Sequence, residues 1–446
     1  MTITVTPNLG LTRGWSQGDG GWGAAMNANL DRLDAVSAVT CLPGEDLQAA
    51  IDATPAGGAL QLAAGSYVAP TAAGWLVTRP ITIRGAGVGG ADADVWGTTL
   101  RPYLGDTGTP GANNKCLTFT NTGGVYLKDL CIANMSPPST LGSGHGIYVT
   151  NATNSVAVSD VYISRVQVHN MGGFGILIDG GDGTPDTSVN ALRFDTVDVA
   201  SCRASGVKAI YCTAPTFVNL YSHSNYLIGL HLSVCGLPRI IASYFEANGT
   251  SATDDTQEPQ VRLDTSNGGE IVGCGFEGFQ GGTNKIGLLL NNCYATSVSG
   301  CNFQNGTSVA GTVGIRMSAG SGDLCGGIKI GPNIYSRVQL AVLGDTSKVE
   351  GIFVEQQTIA VRDGTCPGEI SIPYASDTFN MVIPRTSAHG HRIYGLRFPP
   401  LANVTTQDLT DVVSNSSCFL GFDVSRNTFV FYNGTAWYKL TATTLT

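Results

Sequence analysis

A short unit of alternating apolar residues recurs between Leu117 and Val361, and it restricts the folds open to this chain more than any other feature. Each unit has two or three apolar residues in alternation, a polar turn and a second apolar run. The residues before the turn lie roughly 22 to 32 positions apart. They are Val168, Val199, Tyr221, Phe245, Phe276, Phe303 and Tyr335. This period predicts a solenoid in which these residues stack inside successive coils.

The composition agrees with many short strands joined by tight turns, since 59 of the 446 residues are glycine and only 13% are charged. The net charge is −9, and no run of lysine or arginine is present, so nucleic acid and anionic membranes are excluded as expected partners. The 12 cysteines are spread singly, which predicts small buried thiols. The N-terminus has neither a basic start nor a continuous apolar run, so we expect no signal peptide, no membrane insertion and synthesis in a cytoplasm.

The stretch from Asp46 to Leu104 predicts how the solenoid begins. Leu47, Ala50 and Ile51 fall at helical spacing, and short alternating strands with glycine-bearing turns follow. This order resembles the opening of the pectate-lyase-like right-handed parallel β-helix, which polysaccharide lyases, glycosidases and many phage tailspikes share. The resemblance implies an all-β fold, a right-handed single-stranded parallel β-helix with an N-terminal capping helix, over residues 41–395.

Residues 1–40 and 396–446 differ in pattern from the solenoid between them. The first segment has two Gly-Trp pairs and then Met26, Leu30 and Leu33 at helical spacing. It resembles the start of many phage tail proteins, which implies a short helical segment for attachment to the virion tail. The alternative is a small amphipathic helix that packs on the solenoid end or pairs with copies of itself.

The last segment has aromatic strands on both sides of Asn433-Gly434, a strong hairpin signal. It resembles the small β-modules that close many phage tail proteins, which implies trimerisation or secondary binding. A β-cap that shields the last coil is the alternative, and the two roles are compatible.

Outward carboxylates on neighbouring coils of a β-helix come within reach of each other, because equivalent positions lie about 4.8 Å apart. Glu246 and Glu277 occupy the same outward position on consecutive coils, and Gln304 is next in line. Of two close carboxyl groups, one is expected to keep its proton and act as an acid while the other stays anionic. Glycoside hydrolysis requires this division, with roughly 5 Å between the groups for retention and 6.5 to 9.5 Å for inversion. The alternative is a solvated stack of glutamates.

Asp195 and Asp198 form a second candidate pair, three residues apart across a turn on one coil. The pair resembles the paired aspartates of some tailspike endoglycosidases, but those add a glutamate one coil away where this chain has only Gln167 and His169. A solvated turn is the alternative. We predict sugar contacts from nearby residues of the same surface. These are Tyr244, Tyr226, His223, Arg203 and Gln304.

These features predict a phage tailspike, a homotrimer joined to tail or baseplate proteins through its N-terminus, that binds and depolymerises a bacterial capsule or O-antigen. A glycosidase is favoured, and no cofactor is expected. A non-catalytic receptor-binding tail protein and a lyase acting by β-elimination are the alternatives. A lyase is often assisted by Ca²⁺, for which Asp179, Asp182 and Asp186 are the candidate ligands. The Gly144-His145-Gly146 motif resembles part of the polygalacturonase signature, but its companion motifs are missing, so we predict a turn residue.

Overall fold

The protein is represented by a computed structural model that describes most of the solenoid and parts of both ends. The described residues are 4–5, 12–13, 38–88, 97–103, 114–134, 144–151, 158–181, 188–249, 259–278, 285–305, 312–319, 325–336, 338, 340–344, 349–350, 352–354, 358–360, 369–371, 396–398, 418–423, 428–432 and 437–439. The chain divides into two units, Met1–Pro384 and Arg385–Thr446. The boundaries of the three predicted segments remain predictions.

Each coil of the first unit passes through three parallel sheets, which we call sheets I, II and III, and a short fourth side. Sheets I and II are joined by four long strands, β10 (Val125–Ala133), β13 (Val161–His169), β16 (Arg193–Ala200) and β19 (Thr216–His223), each bent in the middle. Every strand pairs in parallel with the equivalent strand of the next coil. This architecture is the right-handed parallel β-helix predicted from the sequence.

The remaining strands of the solenoid are grouped by sheet. Sheet I contains β3 (Ala38–Cys41), β4 (Ala59–Leu62), β7 (Thr82–Arg84), β21 (Arg239–Ile241), β24 (Glu270–Val272), β27 (Ser297–Ser299), β31 (Lys329–Ile330) and β35 (Phe353–Val354). Sheet II contains β5 (Gly65–Val68), β8 (Thr98–Arg101), β22 (Tyr244–Glu246), β25 (Gly275–Glu277), β28 (Asn302–Gln304), β32 (Ile334–Ser336) and β36 (Thr358–Ala360). Sheet III contains β6 (Trp75–Val77), β9 (Lys115–Thr120), β11 (His145–Thr150), β14 (Ile176–Asp179), β17 (Val207–Ile210), β20 (Leu230–Ser233), β23 (Val261–Asp264), β26 (Ile286–Asn291), β29 (Val313–Ser318), β33 (Leu340–Gly344) and β37 (Glu369–Ser371). The fourth side contains β12 (Val158–Ser159), β15 (Val189–Asn190), β18 (Cys212–Thr213), β30 (Cys325–Gly326) and β34 (Val349–Glu350).

The corners of the coils are made by single residues in the left-handed region of backbone conformation. At the bend between sheets I and II these include Thr196 (φ 56°) and Asn219 (φ 51°). At other corners Val234 (φ 53°) and Thr265 (φ 50°) have the left-handed conformation, although β-branched residues rarely adopt it. The stacked coils therefore impose a turn geometry that the local sequence does not favour.

Aromatic rings stack inside sheet II over four consecutive coils, as the sequence predicts. The ring centroids of Phe245 and Phe276 are 5.5 Å apart, those of Phe276 and Phe303 are 4.5 Å apart, and those of Phe303 and Tyr335 are 5.1 Å apart. The prediction was wrong by one residue at the coil before, where Ser222 is the inward residue in register with Phe245. Tyr221 points outward instead, and this places its hydroxyl on the candidate site.

The corner between sheets II and III is tightly packed and has no room for a side chain at the residue that precedes its sheet III strand β17. Asn225 and Asn248 are fully buried there, and Asn225 Nδ2 donates to Asn248 Oδ1 at 2.9 Å. Gly206 faces this pair, and a Cβ atom on it would lie 2.5 Å from Ser222 Oγ and 2.7 Å from Asn225 Nδ2. Such contacts are closer than packed atoms allow, so the corner requires glycine.

A capping helix and buried thiols agree with the sequence. Helix α1 (Leu47–Ala53) begins after Asp46, which accepts a hydrogen bond from the Ala49 amide at 3.0 Å, and it buries Leu47 and Ile51 on the first coils. The cysteines that the structure describes in detail are all free and buried. Strands β1 (Thr4–Val5) and β2 (Thr12–Arg13) pair antiparallel, and the predicted helix around Leu30 lies outside the described residues.

The second unit contains an antiparallel sheet of β38 (Leu396–Phe398), β39 (Cys418–Asp423), β40 (Thr428–Tyr432) and β41 (Trp437–Lys439). Tyr432 pairs with Trp437, so the strands on either side of Asn433-Gly434 form the predicted hairpin. This sheet is the predicted C-terminal β-module.

Candidate functional site

Two rows of outward side chains run along sheet II from coil to coil, and together they form what we call the sheet II face. Row 1 consists of Gln167, Asp198, Tyr221, Tyr244, Gly275, Asn302 and Ile334. Row 2 consists of His169, Ala200, His223, Glu246, Glu277, Gln304 and Ser336. Residues of both rows flank the inward aromatic stack, so the core fixes their register.

The predicted glutamate pair lies on adjacent rungs of row 2. Glu246 is in register with Glu277, and Glu277 is in register with Gln304. Each glutamate accepts a hydrogen bond from a tyrosine of row 1 on the preceding coil. The Tyr221 hydroxyl donates to Glu246 Oε2 at 2.6 Å, and the Tyr244 hydroxyl donates to Glu277 Oε2. Both carboxylates are therefore drawn toward the N-terminal end of the solenoid, side by side.

Asp198 is held between two histidines of row 2, one on each side. His169 Nε2 lies 3.1 Å from Asp198 Oδ2, and His223 Nε2 lies 3.4 Å from Oδ1. Burial raises the pKa of Asp198, but the hydrogen bond with His169 and the proximity of His223 outweigh it and lower the pKa to about 2. Asp198 is therefore an anion at neutral pH, suited to be a base or to orient a histidine but not to be a general acid.

The ring of Tyr221 joins the aspartate group to the glutamate group. It stacks on His223 with the ring centroids 4.3 Å apart, and its hydroxyl contacts Glu246. Burial and the Glu246 carboxylate raise the pKa of Tyr221 to about 12, so the phenol keeps its proton. One continuous polar cluster thus runs from His169 to Glu277 across five coils.

Asp195 and Asp198 both face outward on one coil, as predicted, but they lie on different sheets. Thr196, at the bend, separates them, so Asp195 ends the sheet I part of β16. Asp195 Oδ2 accepts a hydrogen bond from the Tyr162 hydroxyl at 3.0 Å. The two carboxylates thus have different hydrogen-bonding neighbours, and Asp198 belongs to the sheet II face while Asp195 does not.

The other predicted sugar contacts are divided between the face and the corner beyond it. His223, Tyr244 and Gln304 are part of the two rows. Arg203 and Tyr226 follow the ends of strands β16 and β19, and the Arg203 guanidinium lies 5.5 Å from the centre of the Tyr226 ring. Arg203 and Tyr226 therefore form one half-buried pair beside the face.

Sequence reasoning missed His169 and Tyr221 as members of the cluster. His169 was noted only as a residue that does not match the tailspike glutamate, and Tyr221 was placed in the core. The pattern Val166-Gln167-Val168-His169 contains the signal, since it alternates with the same period as Val197-Asp198-Val199 on the next coil. Aligning complete strands, rather than one aromatic residue per coil, reveals it.

His145 has a structural role and does not join this face. Its Nδ1 accepts a hydrogen bond from the Phe174 amide at 3.1 Å. Burial and Lys115 lower the pKa of His145 to about 4, so the ring is neutral. The prediction of a turn residue was wrong by one position, since His145 is the first residue of strand β11.

Asp179 accepts hydrogen bonds from the Gly181 amide and the Tyr148 hydroxyl, at 3.1 and 3.5 Å. Asp182 and Asp186, its proposed calcium-binding companions, lie outside the described residues. Within the described ranges, no three histidine, cysteine or acidic side chains are arranged to hold a metal ion. The described part of the chain also has no helix long and apolar enough to cross a bilayer.

Two solved structures are similar to this chain in fold. The enzymatically active domain of tailspike protein 2 from bacteriophage CBA120 is 15% identical, with 87% of this chain and 57% of that chain covered and a TM-score of 0.56. The ORF18 protein of Geobacillus virus E2 is 12% identical, with 97% and 81% covered and a TM-score of 0.52. The likeness is one of fold. This chain spans little more than half of the CBA120 domain. No family model and no curated protein matches the sequence.

Proposed function

We propose that this chain is a phage tailspike that binds and depolymerises a bacterial surface polysaccharide, capsule or O-antigen, during host attachment. The observation that supports this most is the pairing of Glu246 and Glu277 on adjacent rungs of an outward face, each held by a tyrosine hydroxyl. The likeness in fold to a phage tailspike domain described as enzymatically active supports the same proposal.

The proposed reaction is hydrolysis of a glycosidic bond. One glutamic acid gives its proton to the glycosidic oxygen, while the other attacks the anomeric carbon as a carboxylate and displaces the leaving sugar. Water then hydrolyses the glycosyl-enzyme, and the first residue, now a base, takes a proton from that water. Because both side chains lean toward the preceding coil, their separation stays near the rung spacing of about 4.8 Å. Retaining enzymes have carboxyl groups roughly 5 to 5.5 Å apart, so we expect retention of the anomeric configuration.

The neighbouring residues have separate proposed roles. Tyr221 and Tyr244 orient the two carboxylates, and Asp198 orients His223 beneath the Tyr221 ring. The Tyr226 ring, with Arg203 against it, offers a flat surface on which a sugar can stack. Asp195, on sheet I, is the weaker candidate because it lies beyond the bend.

The experiment is digestion of purified surface polysaccharides from a panel of bacterial isolates, with new reducing ends as the readout. Glu246→Gln and Glu277→Gln are each expected to lower the rate by roughly 10² to 10⁴ while the protein still binds the polymer. NMR of the first product formed tests the expected retention of configuration.

Glu270→Gln is the matched control. Glu270 lies on the same coil as Glu277 but on sheet I, where Arg239 holds it at 2.9 Å, so its replacement is expected to leave the rate unchanged. Binding without new reducing ends would favour the non-catalytic receptor-binding alternative. An unsaturated uronate, detected by ultraviolet absorbance, would favour a lyase.

The assembly and location are part of the same proposal. We infer a homotrimer attached to the phage tail through residues 1–40, with the β-module of residues 396–446 as a trimerising or secondary binding element. Light scattering on the full chain is expected to give about three times the protomer mass of 46.3 kDa. A monomeric mass would contradict this part of the proposal without affecting the catalytic part.

A further inference from the structure

We infer that the polysaccharide bound on the sheet II face is uncharged where it contacts the two glutamates, so that its sugars there carry no carboxylate, sulfate or phosphate. This inference rests on the proposed function and names the class of its substrate. It follows from the distribution of charge around the face.

The two rows contain acids but no lysine or arginine between Gln167 and Ser336. Their carboxylates belong to Asp198, Glu246 and Glu277, and their only titratable bases are His169 and His223. When both histidines are neutral, the described face is negative even if one of the two glutamates keeps its proton to act as the acid. A sugar carboxylate would therefore enter a region of like charge.

The cations of the described solenoid lie outside the two rows. In the described strands of sheet II the one cation is Arg101 of β8, two coils before β13; it is buried, and its Nε donates to Ser66 Oγ at 2.7 Å. Arg84, at the end of sheet I strand β7, and Arg165, at the bend of β13 between sheets I and II, flank Asp129, and Arg262 binds Asp264 on sheet III. Lys285, near the corner beyond sheet II, is buried and donates to the Gly249 carbonyl at 2.8 Å. Arg203 lies three residues beyond the last residue of β16, against the Tyr226 ring.

Four of the segments that follow sheet II strands in the chain add no positive charge, whereas Arg337 and Arg362 follow the last two sheet II strands, β32 and β36. Residues 135–143, 250–258, 279–284 and 306–311 contain neither lysine nor arginine. The second of them contains Asp254, Asp255 and Glu258. Whichever of these segments borders the face, it supplies no cation to neutralise an acidic sugar.

The charge has a measurable consequence for binding. Two or three unit charges about 7 Å away in water weaken the binding of a carboxylate by roughly tenfold at low salt, and salt screens the effect. A β-elimination lyase must also neutralise the carboxylate of its uronate, and neither row offers a lysine or arginine for this.

The test is an array of purified capsular and O-antigen polysaccharides of known repeating unit, with uronate-containing members also present in carboxyl-reduced form. We expect binding and cleavage of a neutral or carboxyl-reduced member, with an affinity that changes little with salt. Cleavage of a uronate polymer but not of its carboxyl-reduced form would overturn this inference and leave the proposed function standing. Failure to bind any member would remove the proposed function and this inference with it.

A pair of variants tests the charge directly. Asn302→Lys adds a cation to row 1 beside the glutamate pair, and Ser297→Lys adds the same charge to the same coil on sheet I. Asn302→Lys is expected to raise the affinity for an acidic member about fivefold at low salt, as one charge pair about 4 Å apart in water gives. Ser297→Lys is expected to have no effect. Equal effects of the two variants would contradict the inference.

Discussion

Replacing Phe276 by alanine is expected to loosen the solenoid locally, around the candidate site. Phe276 is 1% exposed and lies between the rings of Phe245 and Phe303. Removing a buried phenylalanine side chain costs about 3 to 5 kcal/mol, and each aromatic pair contributes roughly 0.5 to 1.5 kcal/mol beyond burial. Because two aromatic pairs are lost, we expect Phe276→Ala to lower the local stability by about 4 to 5 kcal/mol.

The coils of a solenoid contact only their neighbours, so the loss is expected to stay near Phe276. Hydrogen exchange followed by mass spectrometry measures the free energy of such local openings. Protection of the amides in β22, β25 and β28 is expected to fall by roughly 10³, since about 1.4 kcal/mol corresponds to a factor of ten. Protection in β9 and β11, on earlier coils, is expected to be unchanged.

Phe276→Leu is the control for this prediction. It keeps most of the buried volume, so the loss is expected to be smaller, about 1.5 kcal/mol, and confined to the same strands. An equal loss of protection along the whole solenoid would refute the nearest-neighbour reasoning. No loss in β22 and β28 would refute the energetic role of the ring stack.

Three further changes give separate tests. Tyr221→Phe removes the hydroxyl that donates to Glu246 and is expected to lower kcat on the cleaved polysaccharide roughly tenfold or more, with an unchanged circular dichroism spectrum. Asp264→Asn tests acid stability: burial raises the pKa of Asp264, but hydrogen bonds from His231 and Asn291 and the Arg262 charge lower it to about 2. Because the folded pKa lies below the unfolded one, this carboxylate stabilises the protein above about pH 4 by about 2 kcal/mol, and that stabilisation is lost toward pH 2. Chemical denaturation at pH 7 is thus expected to give a lower free energy of unfolding for Asp264→Asn than for the parent protein. At pH 2 the two proteins are expected to have the same free energy of unfolding. Val234→Gly removes a β-branched side chain from a residue in the left-handed backbone conformation, with φ 53°. The variant is expected to be more stable by about 0.5 to 1 kcal/mol and to have a higher Tm. A lower Tm would contradict the proposed backbone strain at Val234.

The coil period and the aromatic stack are predictable from the sequence because apolar alternation is a strong local signal. Phe245, Phe276 and Phe303 are each followed directly by a glutamate or a glutamine, so their register is evident. The same signal aligned Glu246 with Glu277 correctly, because each glutamate directly follows a phenylalanine of the stack.

The remaining errors came from backbone geometry that the sequence does not encode locally. On the coil of β19 the inward position is occupied by Ser222, so an alignment on aromatic residues selected Tyr221 instead. The corners at Val234 and Thr265 carry residues that disfavour their conformation, and stacking against neighbouring coils imposes it. The contacts of Asp198 with His169 and His223 depend on this three-coil register, which no single strand reveals.

The packed corner near Gly206 affects which variants a random mutational screen of this protein would recover. Any side chain at Gly206 would meet Ser222 and Asn225, and one at Gly229 would come within 2.7 Å of Asn248 Nδ2. Variants that fail to produce folded protein would therefore concentrate at such glycines. Variants altered at Glu246 would be few in number, but each would yield abundant soluble protein. Only a screen that first selects for expression would detect them.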